Sequence, residues 1–319
     1  MIYLSAKDIE KVVKHEEVVS IIEEAMRLYE SKNFVQPDRI TVTRGETETY
    51  LYMPCFTDQM KGTKFLTLFS ENAAKGIPTI QGLMMLNDNE TGKVACMMDG
   101  STLTAYRTGA VGSCGIKHTT PENVSKLGVV GTGVQGFYQC LYASRIRPIK
   151  DIYVFDIFAD KAADFADRVK AALPGVDVHV MATVEELVQE AEVIVTVTTS
   201  RKPVIPNDPE LIKGKHFVGI GSYKPIMQEY PESVFKAVDE IFIDVDFAKE
   251  ETGDLINPLR EGWIKEENVH TLGKYLDSDI EVNKTTMYKS VGMALFDVCV
   301  ATYIYKKALE LNIGTELDL

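Results

Sequence analysis

The sequence predicts an α/β fold with two domains, one with a parallel sheet and one of the α+β class to which the last helix can return. Three observations lead to this prediction. β-Branched runs separated by turns fill the first third of the chain, strands alternate with helices after Glu122, and one long apolar helix follows near the end. The length of 319 residues also exceeds the roughly 250–300 at which a single core stops growing.

Composition places the chain among ordinary globular proteins and disfavours two kinds of partner. Apolar residues make up 45% of the sequence and charged residues 25%, which argues against disorder. The formal charge of −13 disfavours nucleic acid and anionic membranes as partners. No apolar run approaches the roughly 20 residues that a membrane span needs. Charged residues such as Lys7 and Asp8 interrupt the apolar stretch that a signal peptide would need, so none is predicted.

The five cysteines predict a reduced, cytoplasmic protein without a metal site. Their number is odd, their spacings are wide, and no CxxC pair occurs. Four of them lie in apolar runs, where free thiols behave as small core residues. These features fit reduced thiols better than a disulfide framework or a zinc site.

The amino-terminal region is predicted to form one or two amphipathic helices followed by a largely antiparallel sheet. Ser5 and Asp8 have the spacing of a weak capping box, and apolar residues recur at near-helical spacing to about Glu30. From Arg39 the period becomes that of strands. The predicted strands are Ile40–Thr43, Thr47–Tyr52, Lys64–Phe69, Ile80–Leu86 and Lys93–Met98.

The segment Thr104–Ile116 predicts a helix that lies close against another backbone. Alanine, glycine and serine occupy much of it, so few large side chains keep its neighbours at a distance. A glycine-rich loop is the alternative. The helix is favoured because Thr104–Cys114 contains no proline and no charge beyond Arg107.

Alternating strands and helices after Glu122 predict a parallel sheet covered by helices on both faces. Helices such as Asp160–Leu173 fill the gaps between the strands, and the last long helix is predicted from about Met287 to Leu311. The predicted strands are Leu127–Val130, Ile152–Phe155, Val178–Val180, Val193–Val197, Phe217–Gly219 and Ile241–Val245.

A glycine-rich motif, Gly131-Thr132-Gly133-Val134-Gln135-Gly136, lies between the first of these strands and a predicted helix, Phe137–Arg145. This is the setting of a Rossmann dinucleotide site. The first glycine permits a tight turn, the second lets a pyrophosphate approach, and the third allows the helix to pack on the strand. The helix N-terminus adds amide donors for the phosphates. The alternative is a glycine-rich turn in a Rossmann-like domain that binds no cofactor.

The end of the second strand of this domain favours NAD over NADP. Asp156 follows Gly136 by 20 residues, the spacing of a carboxylate that accepts hydrogen bonds from the adenosine ribose. Apolar Ile157 and Phe158 come next, so no arginine stands there for a 2′-phosphate, which the carboxylate would also repel. A basic residue from elsewhere in the fold would weaken this preference.

Three basic residues in the first domain, Arg39, Lys64 and Arg107, are candidates for substrate chemistry. Arg107 stands among small residues on a closely packed helix, where an unpaired guanidinium would be costly to desolvate. A carboxylate ligand would pair with it bidentately. A lysine near two arginines would have a lowered pKa and could exchange protons near neutral pH. The alternative is that each pairs with an internal acid, and the sequence alone does not bring the three together.

Short motifs spread over nearly the whole length carry a family resemblance. The chain resembles the ornithine cyclodeaminase/mu-crystallin family, which also contains alanine dehydrogenases and cyclic-imine reductases. Besides the glycine motif, the matching residues are Tyr52-Met53-Pro54, Gly62-Thr63-Lys64, Asn72, Gly76-Ile77-Pro78-Thr79, Leu103-Thr104-Ala105-Tyr106-Arg107-Thr108-Gly109-Ala110, Thr198 with Pro203, Gly253-Asp254-Leu255, Lys289-Ser290-Val291-Gly292 and Asp297.

The resemblance implies a two-domain subunit of a homodimer. Residues 1–118 and about 295–319 would form the substrate-binding and dimerisation domain, and residues 119–294 the inserted Rossmann NAD(P)-binding domain. Arg39 and Arg107 would hold a substrate carboxylate, Lys64 would lie near the reacting nitrogen, and Met53 would contact the substrate. The residues predicted to contact the dinucleotide are Thr79, Thr108, Gly131, Thr132, Gly133, Val134, Gln135, Gly136, Asp156, Thr198, Gly221, Ser290 and Gly292.

One departure from the family pattern concerns the reaction. Ornithine cyclodeaminases resemble Gly-Asp-x-Pro-Gly-Lys-x-Glu in the stretch that ends here at Glu229, and their aspartate is the catalytic base. Tyr223 occupies that position in this chain. A phenol with a reference pKa near 10 is a poor replacement for a carboxylate that must activate an amine.

The leading hypothesis is therefore NAD(P)-dependent hydride transfer at the α-carbon of a small amino or imino acid. The substrate would be a cyclic imine such as pyrroline-2-carboxylate, or pyruvate with ammonia. Two alternatives stay open: ornithine cyclodeaminase, in which NAD is recycled, and a non-catalytic mu-crystallin-like binder. Retention of Arg39, Lys64 and Arg107 argues against the binder, because a nucleotide-binding protein needs none of them.

Overall fold

The computed structural model describes residues 1–318. The chain forms two compact units. The first comprises Met1–Arg107 together with the segment from Met293 onward, and the second is Thr108–Gly292. The second unit is thus inserted in the sequence of the first, and the predicted α/β fold with an inserted Rossmann domain is confirmed.

The strands and helices are numbered in chain order. The strands are β1 (Ile2–Leu4), β2 (Ile40–Arg44), β3 (Glu48–Phe56), β4 (Lys61–Phe69), β5 (Ile80–Asn87), β6 (Val94–Asp99), β7 (Lys126–Val130), β8 (Asp151–Phe155), β9 (Asp177–Val180), β10 (Val193–Thr196), β11 (His216–Gly219), β12 (Ile241–Ile243), β13 (Val269–Thr271), β14 (Thr286–Lys289) and β15 (Thr315–Glu316). The α-helices are α1 (Ala6–Val12), α2 (His15–Ser31), α3 (Gly100–Thr119), α4 (Val134–Ile146), α5 (Ala159–Ala172), α6 (Val184–Glu190), α7 (Pro209–Ile212), α8 (Glu232–Ala237), α9 (Ala248–Glu251), α10 (Gly253–Arg260) and α11 (Ala294–Leu311). Short 3₁₀ helices span Ser70–Lys75, Glu266–Asn268 and Leu272–Tyr275.

The first unit is built on a seven-stranded sheet in the order β15-β1-β6-β5-β4-β3-β2. Its pairs are antiparallel except for β1 with β6. Helix α11 packs against α2 and against β3, β4 and β5. Successive side chains of a strand point to opposite faces of the sheet. Alternate residues of β3 and β4 therefore lie under α11 and are buried.

The predicted capping box at the amino terminus is present. Asp8 N donates to Ser5 Oγ at 3.3 Å, and Ser5 N donates to Asp8 Oδ2 at 3.2 Å. Two of the amide donors that a helix leaves unsatisfied at its start are thereby paired, and α1 begins directly after Ser5.

The second unit is built on an eight-stranded sheet in the order β13-β12-β14-β11-β10-β7-β8-β9, with every pair parallel. The chain runs outward from β7 through β8 to β9 and then returns to place β10 on the other side of β7. This reversal is the topological switch point at which open α/β sheets bind ligands, outside the carboxyl ends of the strands.

The last long helix begins later than the sequence predicts. Met287 does not open a helix but lies in β14, a completely buried strand between β11 and β12. Gly292 then takes a φ of +75°, and α11 starts only at Ala294. A short apolar run is ambiguous between strand and helix, and here pairing inside the parallel sheet decided for the strand.

The small-residue helix α3 does lie close against other elements, as predicted. A Cβ added at Gly109 would lie 2.5 Å from the ring of Tyr142, and a Cβ at Gly115 would overlap the ring of Tyr288. Arg147 holds the carboxyl end of α3, donating to the carbonyl oxygens of Lys117 at 2.5 Å and Thr120 at 3.0 Å. Among the described residues, no helix combines the length and the apolarity that crossing a membrane requires.

Candidate active site

Lys64 is the buried centre of the polar cluster in the first unit. It stands on the covered face of β4, and none of its surface is exposed. In the register of the sheet it pairs with Met53 on β3 and with Met84 on β5, both of them buried. An ammonium among methionine side chains is costly unless a nearby charge compensates for the lost water.

That charge belongs to Asp297, in the first turn of α11. Lys64 Nζ lies 2.7 Å from Asp297 Oδ2, and Arg107 Nε lies 3.0 Å from Asp297 Oδ1. One carboxylate thus bridges the two predicted site cations. The positive end of the helix dipole further stabilises its charge.

Burial is the main cause that lowers the pKa of Lys64 to about 7. The Asp297 carboxylate acts in the opposite direction, and the guanidinium groups of Arg107 and Arg39 lower this pKa further. Lys64 can therefore gain or lose a proton near neutral pH, as a general acid or base must.

The structure brings together the residues that the sequence predicted for substrate chemistry. Arg39 is half-buried directly before β2, and its charge acts on Lys64. Met53 is the register partner of Lys64. Arg107 and Arg39 are cations beside Lys64, and guanidinium groups bind the carboxylate of a ligand well.

Sequence reasoning missed the bridging role of Asp297. The available signal was an acidic residue inside the apolar run Ala294–Val300, close to a helix start. A carboxylate at such a position is seldom buried unless a cation pairs with it.

The glycine motif adopts the geometry that a dinucleotide loop needs. Gly131 has a φ of +105°, which favours glycine. Around Gly133 an added Cβ would meet no atom within 4 Å, so the backbone is open to a phosphate. Gly133 also caps α4 without a side-chain hydrogen bond, and Val134 and Gln135 form the first turn of that helix. Its first amides therefore remain available as donors.

A cleft of about 380 Å³ opens beside this loop. Asp156 lies in its wall, where Oδ2 accepts hydrogen bonds from Thr132 N at 3.0 Å and from Thr132 Oγ1 at 2.7 Å. Burial alone would raise the pKa of Asp156, but hydrogen bonds from Thr132 and Phe158 lower it overall. Lys161 also lines the cleft, and sequence reasoning did not include it.

The other predicted cofactor residues fall into separate groups. Thr198 lines the cleft, and with Gly221 it is held by the Glu229 carboxylate. Ser290 and Gly292 donate instead to Asp244 Oδ2, at 2.6 and 2.7 Å, just beyond β14.

The two predicted threonines are placed differently. Thr79 lies in the first unit, where its carbonyl oxygen accepts a hydrogen bond from Phe69 N at 2.9 Å. Thr108 is buried in the second unit, and its carbonyl oxygen accepts from Gln139 Nε2 at 2.9 Å. Neither threonine is among the residues that line the cleft.

One buried polar atom beside the glycine loop supports the fit of a dinucleotide to the second unit. Gln135 Oε1, in the first turn of α4, has no hydrogen-bond partner among the described residues. Buried polar atoms rarely stay unpaired, so this oxygen can bind a ligand. With the open loop at Gly133 and the carboxylate of Asp156, the residues present fit a nicotinamide dinucleotide.

Tyr223 lies in the loop after β11, half-buried, and Lys224 Nζ stands 5.6 Å from the centre of its ring. A phenol there supplies neither the charge nor the basicity of a carboxylate at neutral pH.

Comparisons with known proteins extend over the whole chain. The model of the ornithine cyclodeaminase/mu-crystallin family matches residues 1–312. A Delta(1)-pyrroline-2-carboxylate reductase of Bacillus cereus is 32% identical over 332 residues, covering 100% of both chains. The solved structure of the Thermococcus litoralis Delta(1)-pyrroline-2-carboxylate reductase in complex with NADH and L-proline is 28% identical, with a TM-score of 0.93, covering 99% of this chain and 100% of that one. An archaeal alanine dehydrogenase dimer with bound NAD is 29% identical, with a TM-score of 0.90, covering 100% of this chain and 99% of that one.

Proposed function

The chain belongs to the ornithine cyclodeaminase/mu-crystallin family, and from this premise we propose that it is an NAD-dependent reductase of a cyclic imino acid. The observation that carries the proposal is the buried cluster of Lys64, Asp297 and Arg107. The named reductases, similar over their full length, support the same substrate class, with pyrroline-2-carboxylate the first candidate.

The chemistry divides between the two units. The first unit supplies cations for a carboxylate and a proton donor for a nitrogen. The second supplies the loop and the carboxylate that suit a dinucleotide. NADH, when bound, supplies a hydride to the α-carbon of the imine and becomes NAD⁺.

The residues of this cluster, together with Arg39, divide the tasks of the reduction. Arg39 and Arg107 bind the substrate carboxylate and so fix the α-carbon in place. As the C=N bond becomes C–N, the nitrogen takes a proton from the Lys64 ammonium, which is left neutral. Asp297 orients that ammonium and favours its charged form, so that a proton is available near pH 7.

The cofactor preference follows from the cleft in the second unit. The two oxygens of Asp156 accept three hydrogen bonds from the protein, whereas a carboxylate has about four acceptor positions. Asp156 can therefore accept a further hydrogen bond from a ribose hydroxyl. The same negative charge repels a 2′-phosphate, which favours NAD over NADP.

The test is the oxidation of NADH with pyrroline-2-carboxylate, piperideine-2-carboxylate, and pyruvate with ammonia. The matched variants are Lys64→Met and Lys61→Met, which change the same residue type on opposite faces of β4. We expect Lys64→Met to lower kcat/KM by at least about a hundredfold and Lys61→Met to leave it nearly unchanged. No turnover with any of these substrates by folded protein that binds NADH would overturn the proposal.

Two other outcomes of the same assay separate the alternative functions. Proline formed from ornithine with catalytic NAD and no net NADH would establish cyclodeamination and would show that Tyr223 does not prevent it. Full function in Lys64→Met would instead favour a non-catalytic binder.

A homodimer is part of the proposal, and the open face of the first sheet supports it. Ile40 and Val42 are 57% and 50% exposed, and Tyr52 is 40% exposed beside Phe65, with ring centres 5.0 Å apart. Such an apolar sheet face is the kind of surface that a second copy covers. The solved alanine dehydrogenase of similar fold is described as a dimer.

We also infer a cytoplasmic location. None of the five cysteines forms a disulfide, and four of them are buried. Persistent thiols fit a reducing compartment.

A further inference from the structure

Three ionisable residues of the second unit have no part in the proposed reaction, yet all are completely buried. Glu229, Asp254 and Lys289 each have 0% of their surface exposed, and Lys289 Nζ lies 3.7 Å from Asp254 Oδ2. Burying three charged groups is costly, and apolar residues of similar volume often stabilise a core as well or better. Their presence therefore indicates a task that apolar side chains cannot perform.

Glu229 joins the loops that follow β10 and β11. Its Oε1 accepts hydrogen bonds from Thr198 N at 2.7 Å and Thr198 Oγ1 at 2.8 Å. Its Oε2 accepts from Gly221 N and Ser222 N, both at 3.0 Å. All four donors come from the carboxyl edge of the parallel sheet, where its ligands bind.

Asp254 holds the backbone of Glu229, and the charge of Lys289 acts on both carboxyl groups. Asp254 Oδ1 accepts from the backbone amides of Glu229 and Tyr230, at 2.8 and 3.1 Å. Burial raises the pKa of both carboxyl groups, and the Lys289 ammonium acts in the opposite direction. Room for this lysine exists because Gly219 has no side chain, since a Cβ there would lie 2.9 Å from Lys289 Cδ.

The loop that Glu229 holds also forms the wall of the cleft. Thr198 lines the cleft together with Gly131 and Gly133. A Cβ added at Gly131 would lie 3.2 Å from Thr198 Cγ2, and one at Gly221 would overlap the Thr198 backbone. The loop after β10 thus lies in contact with the loop after β7 on one side and with the loop after β11 on the other. A shift of Thr198 would therefore change the width of the cleft.

We propose that Glu229, supported by Asp254 and Lys289, is the positioning residue of the dinucleotide site, fixing the Thr198 wall against the glycine loop. This inference rests on the proposed function, because it assumes that the cleft binds NADH. Glutamine cannot replace Glu229, because each carboxylate oxygen accepts two hydrogen bonds. The NH₂ group of glutamine would take the place of one oxygen and would face two donors with a donor. One of the two loops would then be released.

The experiment measures the Kd of NADH by fluorescence titration in wild type, Glu229→Gln and Glu192→Gln. Glu192 is the matched control because its Oε2 accepts from Ser125 N and Lys126 N, at 2.7 and 2.9 Å, but at the amino edge of the same sheet. The titrations are made at a temperature at which circular dichroism shows all three proteins to be folded. We expect Glu229→Gln to weaken NADH binding at least about tenfold and Glu192→Gln by less than about twofold.

A kinetic measurement separates positioning from a merely structural role. In Glu229→Gln the KM for NADH should rise at least about tenfold, while kcat at saturating NADH falls less than about threefold. Should this variant fail to fold, Gly221→Ala takes its place, because it forces the two loops apart and leaves every charge intact.

The outcomes are distinguishable. Folded Glu229→Gln or Gly221→Ala that binds NADH as tightly as wild type would overturn the positioning role and leave the proposed function standing. An equal loss of NADH affinity in Glu229→Gln and Glu192→Gln would also overturn it. The effect would then not depend on which edge of the sheet the glutamate lies at. Wild-type protein that binds no NADH would overturn the proposed function, and the positioning role with it.

Discussion

Lys64 Nζ and Asp297 Oδ2 lie 2.7 Å apart, and neither side chain has any exposed surface. This pair decides the protonation of the only residue assigned to proton transfer. Burial favours neutral Lys64, and Asp297 favours the ammonium, so the two effects balance near pH 7.

The first prediction concerns the pH dependence of imine reduction. Activity should be high while Lys64 is protonated and should fall as the pH rises through about 7, the pKa of Lys64. Asp297→Asn removes the charge that raises this pKa, so the fall should move to lower pH by at least about one unit. Profiles of kcat/KM against pH check this. An unchanged profile in folded Asp297→Asn would show that Asp297 does not set the protonation of Lys64.

The second prediction concerns the substrate carboxylate. Arg107→Lys keeps a positive charge but loses the planar fork, so the KM for the imino acid should rise about ten- to a hundredfold. Steady-state kinetics at saturating NADH measure it. Arg44→Lys, an exposed exchange on β2, is the control and should leave KM unchanged. A KM equal to that of wild type in Arg107→Lys would remove Arg107 from carboxylate binding.

The third prediction concerns cofactor choice. Asp156→Ala removes both a ribose acceptor and a charge that repels a 2′-phosphate, while Lys161 remains in the cleft wall. The ratio of kcat/KM with NADH to that with NADPH should fall at least about tenfold. Asp160→Ala removes an exposed carboxylate nearby and should keep the ratio. If both variants keep it, Asp156 does not discriminate between the cofactors.

The fourth prediction concerns acid stability. His216 is 5% exposed, and burial lowers its pKa from 6.5 to about 4. Thr286 Oγ1 donates to Thr119 O at 2.6 Å, so it accepts from His216 Nδ1 at 2.8 Å. Between these two pH values the unfolded chain binds the proton and the folded protein does not. The contribution of neutral His216 is therefore complete above about pH 6.5 and is lost as the pH falls to about 4, on the order of 3 kcal/mol.

Urea unfolding at pH 7 and at pH 4.5 measures that loss. In His216→Gln the free energy of unfolding should change less between the two pH values than in wild type. An equal change in both proteins would assign the acid sensitivity to other groups.

The fifth prediction concerns assembly. Val42→Glu places a charge on the open apolar face of the first sheet and should shift the protein from dimer to monomer in analytical ultracentrifugation. Thr41→Glu is the control, because Thr41 neighbours Val42 on β2 but points to the opposite face. Dissociation of both variants, or of neither, would count against this face as the dimer surface.

Local patterns in the sequence predicted much of what the structure contains. The glycine motif between a strand and a helix predicted the loop at Gly131, because only glycine adopts that backbone readily. The small residues of α3 predicted its close packing. The family and the fold class are confirmed, whereas the roles of the site residues stay predictions for the experiments above.

The sequence by itself determined most of the strands and helices, the glycine loop and the chemistry of the residues, since propensity, periodicity and turn geometry act over a few neighbouring positions. Only the tertiary structure decided which distant residues meet. It turned Met287–Lys289 into a buried strand, brought Asp297 to Lys64 and Arg107, and placed Glu229 between two loops. Those pairings depend on packing and desolvation between parts of the chain remote in sequence, which no local pattern encodes.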